Sequence, residues 1–315
     1  MPNRIASGGL IALTGATGFI GQFLLKDMIR RGYRVRVLLR RPVNLHLEAD
    51  SAIIGDLTHP QNMAEALQGV DAVIHSAGLA HAMSGMPEAD YRAINTDATA
   101  NLAQAAEKAG VRRFIFLSSI RAQSGPVSPT IIHDTSPALP TDAYGRSKLA
   151  AEQALAQTNI DWAALRPVLV YGNGVKGNMA TLARLARSQW HLPLGGIQAK
   201  RSLLSVENLA DAIDFLLRTE KPLRQSMIVA DNEPLTIGEM IAAMRSGLNR
   251  PAGLIPVPEF LLKLGCRALG KQEAFERIAG SLVVDASTLR ELGWQPPITT
   301  QSALAEMSKH FASDA

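Results

Sequence analysis

Tyr144 and Lys148 are the side chains of this sequence whose types and spacing most directly suggest chemistry. Four residues apart on a helix, they stand on one face, a single turn from each other. An ammonium beside a phenol stabilises the phenolate, so a tyrosine that ordinarily titrates near ~10 becomes an acid or base usable at neutral pH. The same spacing is also that of a plain surface pair. What the pair means depends on the rest of the chain.

The helix that carries the pair, over about residues 143–156, belongs to an alternating pattern. Apolar runs at residues 10–13, 34–39, 52–54, 72–75, 113–117 and 162–166 read as strands. Helical patterns lie between them at 18–31, 61–67 and 91–109, the last stopped by Gly110. Strands alternating with helices imply a parallel sheet covered on both faces. After Pro167 the pattern loosens into helices at 179–188, 206–219, 237–247 and 258–269, with one more strand at 227–229. We expect a dinucleotide-binding domain over residues 1–170 and a mainly substrate-binding lobe over 171–315, with some later segments returning to the sheet.

Composition limits the function classes. The 315 residues can bury a large core, and the net charge of +4 is small for that length. No Lys/Arg run is long enough for nucleic-acid binding, and aromatics are few. Cys266 is the only cysteine, so no intramolecular disulfide can form; a reducing, cytoplasmic setting is expected. We read Cys266 as a packed thiol among Leu262, Leu264 and Leu269. No stretch is suited to span a membrane. Residues 260–264 are amphipathic and could touch a membrane surface, but a helix packed on its own protein is the favoured reading. No metal site is expected.

The segment after the first strand gives the Tyr/Lys pair something to act with. Thr14-Gly15-Ala16-Thr17-Gly18-Phe19-Ile20-Gly21 runs from a strand into a helix, the context a dinucleotide loop requires. Its glycines permit a tight turn and close approach to a pyrophosphate, and the helix N-terminus offers free N–H groups. The second strand ends in Leu39-Arg40-Arg41, without the carboxylate that would accept from ribose hydroxyls. Arg40 suits a 2′-phosphate, so NADP(H) is favoured over NAD(H). Asp56-Leu57 ends the third strand, where the carboxylate can accept from an adenine amino group or cap the next turn.

Together these pieces resemble the extended short-chain dehydrogenase/reductase family, the sugar-nucleotide epimerase, dehydratase and reductase group. The resemblance covers most of the chain: the Gly15/Gly18/Gly21 loop, Asp56-Leu57, His75-Ser76-Ala77-Gly78, Asn95, Ser118-Ser119, Tyr144 with Lys148, and Leu165-Arg166-Pro167 with Tyr171-Gly172. It implies a Rossmann-type doubly wound parallel sheet, an α/β fold, with a smaller helix-rich C-terminal substrate lobe. It implies that Tyr144 is the acid/base at the substrate oxygen. Lys148 lowers its pKa and holds the nicotinamide ribose, and Ser119 hydrogen-bonds the same oxygen. Ser118 braces the strand end. Thr17, Phe19, Ile20, Ser76, Ala77, Gly78, Asn95 and Pro167 line the cofactor groove beside the glycines. Asn178 and Arg201 would meet a substrate diphosphate, with residues 193–196 over its base.

Departures from the pattern narrow the chemistry. The 4,6-dehydratases carry an acidic pair after the catalytic Ser/Thr; here Ile120-Arg121 follows Ser119, so dehydration is rejected. A 4-ketoreductase of a UDP-4-keto-6-deoxy-N-acetylhexosamine, in surface polysaccharide biosynthesis, and a UDP-hexose or UDP-HexNAc 4-epimerase would use Ser119, Tyr144 and Lys148 identically. Arg40 tilts the reading narrowly to the reductase. The same scaffold would also suit a non-sugar carbonyl reductase, a steroid-type dehydrogenase or a non-catalytic NADP(H) sensor. The family's homodimer, through helices around Asn95 and Tyr144, is expected by analogy.

Overall fold

Seven parallel strands form one sheet, and each side of that sheet has its own core. The computed structural model describes residues 4–45, 49–79, 85–268, 270, 272, 275 and 279–311. The strands are β1 (Leu10–Thr14), β2 (Arg34–Leu39), β3 (Asp50–Ile53), β4 (Ala72–His75), β5 (Arg113–Leu117), β7 (Asp161–Pro167) and β11 (Gln225–Val229), in the order β11-β7-β5-β4-β1-β2-β3. Two-residue periodicity divides their side chains. Ile11, Leu13, Ile74 and Ile115 enter one core, while Leu10, Ala12, Val73, Phe114 and Phe116 enter the other. The central strands β1, β4 and β5 are buried at every position, which is why they read as nearly continuous apolar runs.

Helices α1 (Phe19–Arg30) and α7 (Val206–Arg218) cover the first face through Leu24, Met28, Leu209, Ile213 and Leu217. The opposite face packs on α2 (Met63–Ala66), α4 (Ala98–Lys108) and α5 (Ala143–Ala156) through Ala66, Leu102, Ala106, Ala151 and Leu155. The helix expected as one element over 91–109 has three parts: α3 (Glu88–Tyr91), a π-helical turn at Arg92–Asp97, and α4. Such turns insert one residue into a helix and often mark functional positions; this one carries Asn95.

The remaining chain builds a smaller unit with a third core of Tyr171, Met179, Leu182, Leu192, Leu203, Leu235, Ile241, Met244, Leu304 and Met307. It contains β8 (Leu169–Tyr171) paired with β10 (Leu203–Ser205), β9 (Lys200–Arg201) paired with β12 (Leu235–Thr236), and α6 (Gly177–Arg187), α8 (Ile237–Gly247) and α9 (Glu259–Ala268). Helices α10 (Ser287–Leu292) and α11 (Thr300–His310) follow. β6 (Ile132–His133) pairs with β13 (Val284–Asp285). The segments that return to the sheet are α7, β11 and α10.

Asp231, just past β11, ties the two parts: it accepts from Tyr171 Oη at 2.9 Å, Asn208 Nδ2 at 2.7 Å and Ser205 N at 3.1 Å. Burial raises its pKa to about 6.

One expectation is reversed at α9. The sequence favours a helix packed on the protein, with Cys266 as a buried thiol. Instead the helix buries no residue completely, and Phe260, Leu261 and Leu264 are exposed. Leu262 and Cys266, one turn apart, are only half-buried, and Leu269 lies outside the described residues.

The sheet's far end is locked by charge. Arg113 is fully buried at the start of β5; its Nη2 and Nε donate to Asp161 at 2.6 and 2.9 Å, and its Nη1 to carbonyls of Leu216 and Thr219. Removing one partner of such a pair strands the other charge, which costs about 3–5 kcal/mol. Asp161→Ala should therefore lower the free energy of unfolding by about that amount, read from urea midpoints. A loss under ~1 kcal/mol would mean that the carbonyls alone satisfy Arg113.

Candidate active site

The chain runs β1, β2, β3 in one direction and then crosses back to β4 on the other side of β1. This reversal opens a crevice at the strands' C-terminal ends, where open α/β sheets bind ligands. Thr14 and His75 are paired across it. Thr14 Oγ1 lies 2.7 Å from His75 Nδ1 and accepts from Ala77 N at 3.1 Å. On the other side, His75 Nε2 lies 2.9 Å from Thr99 Oγ1, which donates to Asn95 O at 2.6 Å. These directions select one tautomer. Thr99 has already used its proton, so Nε2 carries the imidazole hydrogen and Thr14 donates to Nδ1. Burial, then the nearby Lys148, hold His75 neutral by lowering its pKa to about 3. Sequence reading takes His75 only as part of a pattern; its place in this chain of bonds is visible only in three dimensions.

The glycine loop fits a dinucleotide. Gly15 has φ +74°, and a Cβ there would sit 2.7 Å from Ala77 N and from the Ser76 carbonyl carbon. A Cβ on Gly21 would strike the Gly15 carbonyl. The loop, the Ser76-Ala77 turn and α1 thus converge closely because side chains are absent. The N-terminus of α1 has no side-chain cap and no acidic residue in its first turn, so its N–H groups and dipole suit a pyrophosphate. Thr17 and Gly18 are exposed on the loop. Phe19 packs on the third core and Ile20 on the first, so these two side chains anchor the loop to both parts of the molecule.

Ser119, Tyr144 and Lys148 come together at the end of β5. Ser119 begins a 3-10 turn (Ile120–Ala122), and its Oγ accepts from Arg121 N at 3.1 Å. Asp142 caps α5 by accepting from Gly145 N at 2.7 Å and also pairs with the Arg121 guanidinium. A Cβ on Gly145 would overlap Arg121 O, so glycine lets the serine turn lie directly against the tyrosine helix. A Ser119 side-chain hydrogen bond reaches Tyr144. Tyr91 meets Tyr144 edge-on, with ring centroids 6.2 Å apart.

The electrostatics differ from the expectation that Lys148 lowers the tyrosine's pKa. Tyr144's pKa is raised: burial dominates, while the Ser119 bond and the Arg121 charge oppose it. Lys148 is 5% exposed; its Nζ donates to Leu117 O at 2.8 Å and lies 4.7 Å from the Phe116 ring centroid. Burial brings its own pKa down to about 8. Its ammonium is thus held on the strand end. Nζ is nevertheless beside the crevice, 3.3 Å from where a Gly78 Cβ would be.

Neighbouring groups fix this geometry. Asn95, 1% exposed, accepts from Leu79 N at 2.8 Å and donates to Ser147 Oγ at 3.0 Å, clamping the segment after β4 to α5. Ser118 Oγ donates to Glu152, as expected of a brace at the strand end. Glu152 Oε2 in turn accepts from Arg166 Nη2 at 2.5 Å and Ser226 Oγ at 2.8 Å. Sequence reading misses Arg121, Asp142, Glu152 and Arg166 as partners. The Asp142 cap just before an apolar-poor helix is the one available signal.

The outlying residues sit as follows. Arg40 and Asp56 are exposed and face each other at 3.9 Å. Asp56 accepts from Thr58 N at 2.9 Å, the turn-capping role, and Thr58 is the main cause of its lowered pKa. Leu57 packs on the second core. Pro167 is buried at the end of β7, paired with Val229. Asn178 is exposed in the first turn of α6. Arg201 Nη1 lies 3.4 Å from Pro126 O, on the loop that follows the Ser119 turn, and burial lowers its pKa.

Comparison with known proteins agrees with this geometry. Residues 11–230 match the model of the NAD dependent epimerase/dehydratase family. The chain is 35% identical to a UDP-glucose 4-epimerase of Vibrio cholerae, over 96% of this chain and 95% of that protein. It is 28% identical to a 3 beta-hydroxysteroid dehydrogenase/Delta 5-->4-isomerase of Mycobacterium tuberculosis, over 97% and 91%. The crystal structure of a Bacillus cereus UDP-N-acetylglucosamine 4-epimerase shares the fold, with a TM-score of 0.78 at 21% identity over 95% of this chain and 98% of that one. The chain belongs to the NAD dependent epimerase/dehydratase family, the extended short-chain dehydrogenase/reductase group that its residue pattern resembles.

The relay through His75 has a pH signature. The folded protein keeps the imidazole neutral down to about 3, whereas the unfolded chain protonates near ~6.5. Between these values the unfolded state binds the extra proton, so acid removes stability, by up to ~1.4 kcal/mol per pH unit. Urea midpoints at about pH 7 and about pH 5 should converge between wild type and His75→Gln as pH falls. A constant gap would mean that His75 titrates alike in both states.

Proposed function

We propose, from membership of this family, that the protein is a 4-epimerase of a nucleotide sugar, with a UDP-sugar as substrate and NAD(H) as cofactor. The observation that carries this reading is the Ser119–Tyr144–Lys148 group beside a glycine cradle. It occurs in a chain 35% identical, almost end to end, to a UDP-glucose 4-epimerase. The 4-ketoreductase reading rests mainly on Arg40, and Arg40 has the Asp56 carboxylate opposite it. The near-full-length relative supports the epimerase over that first choice. A steroid-type substrate is the second reading, supported by the Mycobacterium tuberculosis relative. Arg201, a cation in the smaller lobe within reach of the Ser119 loop, fits an anionic diphosphate better than a sterol.

A nicotinamide dinucleotide bound at the loop supplies a reversible hydride acceptor. The chain's residues handle the proton and the oxygen. Tyr144 takes the proton of the sugar 4-hydroxyl as C4 is oxidised and returns it after the sugar has turned over. Ser119 Oγ holds that oxygen in reach of the phenol. The charge of Lys148 favours phenolate once it is shared with the tyrosine, and Arg121 contributes in the same sense. A homodimer through the faces of α4 and α5 is part of the proposal by family analogy.

Incubation of the protein with UDP-glucose or UDP-GlcNAc and catalytic NAD should interconvert the C4 epimers, read by NMR, without net cofactor consumption. Stoichiometric NAD(P)H oxidation on a 4-keto sugar would return the reading to the ketoreductase. Tyr144→Phe should lower turnover by ~10²–10⁴ while cofactor still binds. Fluorescence titration should give tighter binding of NADH than of NADPH; the opposite order would restore the preference inferred from Arg40. Arg201→Ala should weaken UDP binding by roughly tenfold or more, the loss of one charge-assisted contact. Unchanged UDP affinity would remove Arg201 from the substrate site.

A further inference from the structure

We propose that α9 and the adjoining Trp190 loop form a docking surface for an anionic lipid bilayer. The orientation of α9 is the first observation. Its half-buried residues, Leu262 and Cys266, are the ones that face the protein. Phe260, Leu261 and Leu264 face out, at 69%, 47% and 64% exposure. At ~100° per residue these three fall within one arc of roughly 100°, and Lys263 and Arg267 border that arc beside Phe260. A helix that served only to cover its own protein would turn this face inward. An apolar arc with aromatic and leucine side chains, flanked by cations, is the pattern of a helix lying in a membrane interface.

The surface continues beyond the helix. Leu192 N donates to Gly253 O and Ile255 N to Leu192 O, both at 2.9 Å, so the segment leading into α9 is paired with the loop that carries Trp190. Buried Arg245 stitches the two, donating to Trp190 O at 2.7 Å and Ala252 O at 2.8 Å. Trp190 is 79% exposed and Ile255 45%. An indole in this setting suits the boundary between headgroups and acyl chains.

Charge selects the occupant. Residues 184–191 and 250–268 carry Arg184, Arg187, Arg250, Lys263 and Arg267 against the single carboxylate of Glu259. Together these two segments carry five cations less one carboxylate, +4, as much as the whole chain has in net. Two copies of such a patch would repel across a two-fold axis, whereas an anionic headgroup layer attracts it.

Trp190 is also a reporter, because the other tryptophans, Trp162 and Trp294, are buried at 5% and 3% exposure. The full chain should co-sediment with phosphatidylcholine vesicles containing phosphatidylglycerol, with a blue shift of tryptophan emission that Trp190→Phe abolishes. Binding should fall by roughly tenfold on pure phosphatidylcholine and at high salt. Phe260→Asp/Leu264→Asp, and separately Lys263→Glu/Arg267→Glu, should each weaken it by ~tenfold or more with the melting temperature unchanged. No co-sedimentation, or binding indifferent to lipid charge, overturns the proposal. So does a dimer in ultracentrifugation that the aspartate variant dissolves, since a second copy would then own the surface.

Discussion

The neutral imidazole of His75 is the contact on which the rest of the site depends. It stands at the C-terminal end of β4, in register with Thr14 of β1, where the strand order reverses. Through Thr14 it fixes Ala77 N, against which Gly15 is packed; through Thr99 it fixes Asn95 O. Asn95 then holds Leu79 and Ser147, and so the helix that bears Tyr144 and Lys148. One uncharged ring therefore links the glycine loop to the helix that carries Tyr144 and Lys148. A charged ring could not do so, because burial penalises the imidazolium and Nδ1 must remain an acceptor.

Beneath the serine turn, a second group of buried bonds works by the opposite principle. Glu152 and Arg166 form a buried salt bridge, kept in the interior by each other and by Ser118, Ser226 and Gln123. Breaking such a pair is costly while its net contribution to stability is small, so its use here is to define position rather than to add stability. Ser118 is spent on this network, which leaves Ser119 to face Tyr144. Lys148, by contrast, has a carbonyl and an aromatic face as neighbours and a depressed pKa. It is a cation held ready at the edge of the crevice.

The two parts of the molecule meet through specific contacts. Phe19 packs from the glycine loop against the core of the smaller part, and Asp231 gathers Tyr171, Ser205 and Asn208 at the end of the sheet. Arg201 reaches Pro126 on the loop after the serine turn.

Much of this is legible in the sequence because local chemistry produces it. Strands at the centre of such a sheet must be largely apolar, and all seven strands of the sheet are readable from the sequence, six in its first half and one at 227–229. The glycine loop announces itself because close backbone approach admits no side chain, and the Tyr144/Lys148 spacing because helix geometry puts four-residue neighbours together. Tertiary structure decided what depends on surroundings rather than neighbours. The π-helical turn at Asn95 has no propensity signature and appears where packing demands an extra residue. The tautomer of His75, the upward shift of Tyr144 and the diversion of Lys148 to Leu117 follow from burial and from partners distant along the chain. So does the outward face of α9, since an amphipathic pattern states that one side is apolar but not what that side meets. Pattern and spacing are properties of a chain; the direction of a pKa shift and the exposure of a face are properties of its environment, and only folding creates that.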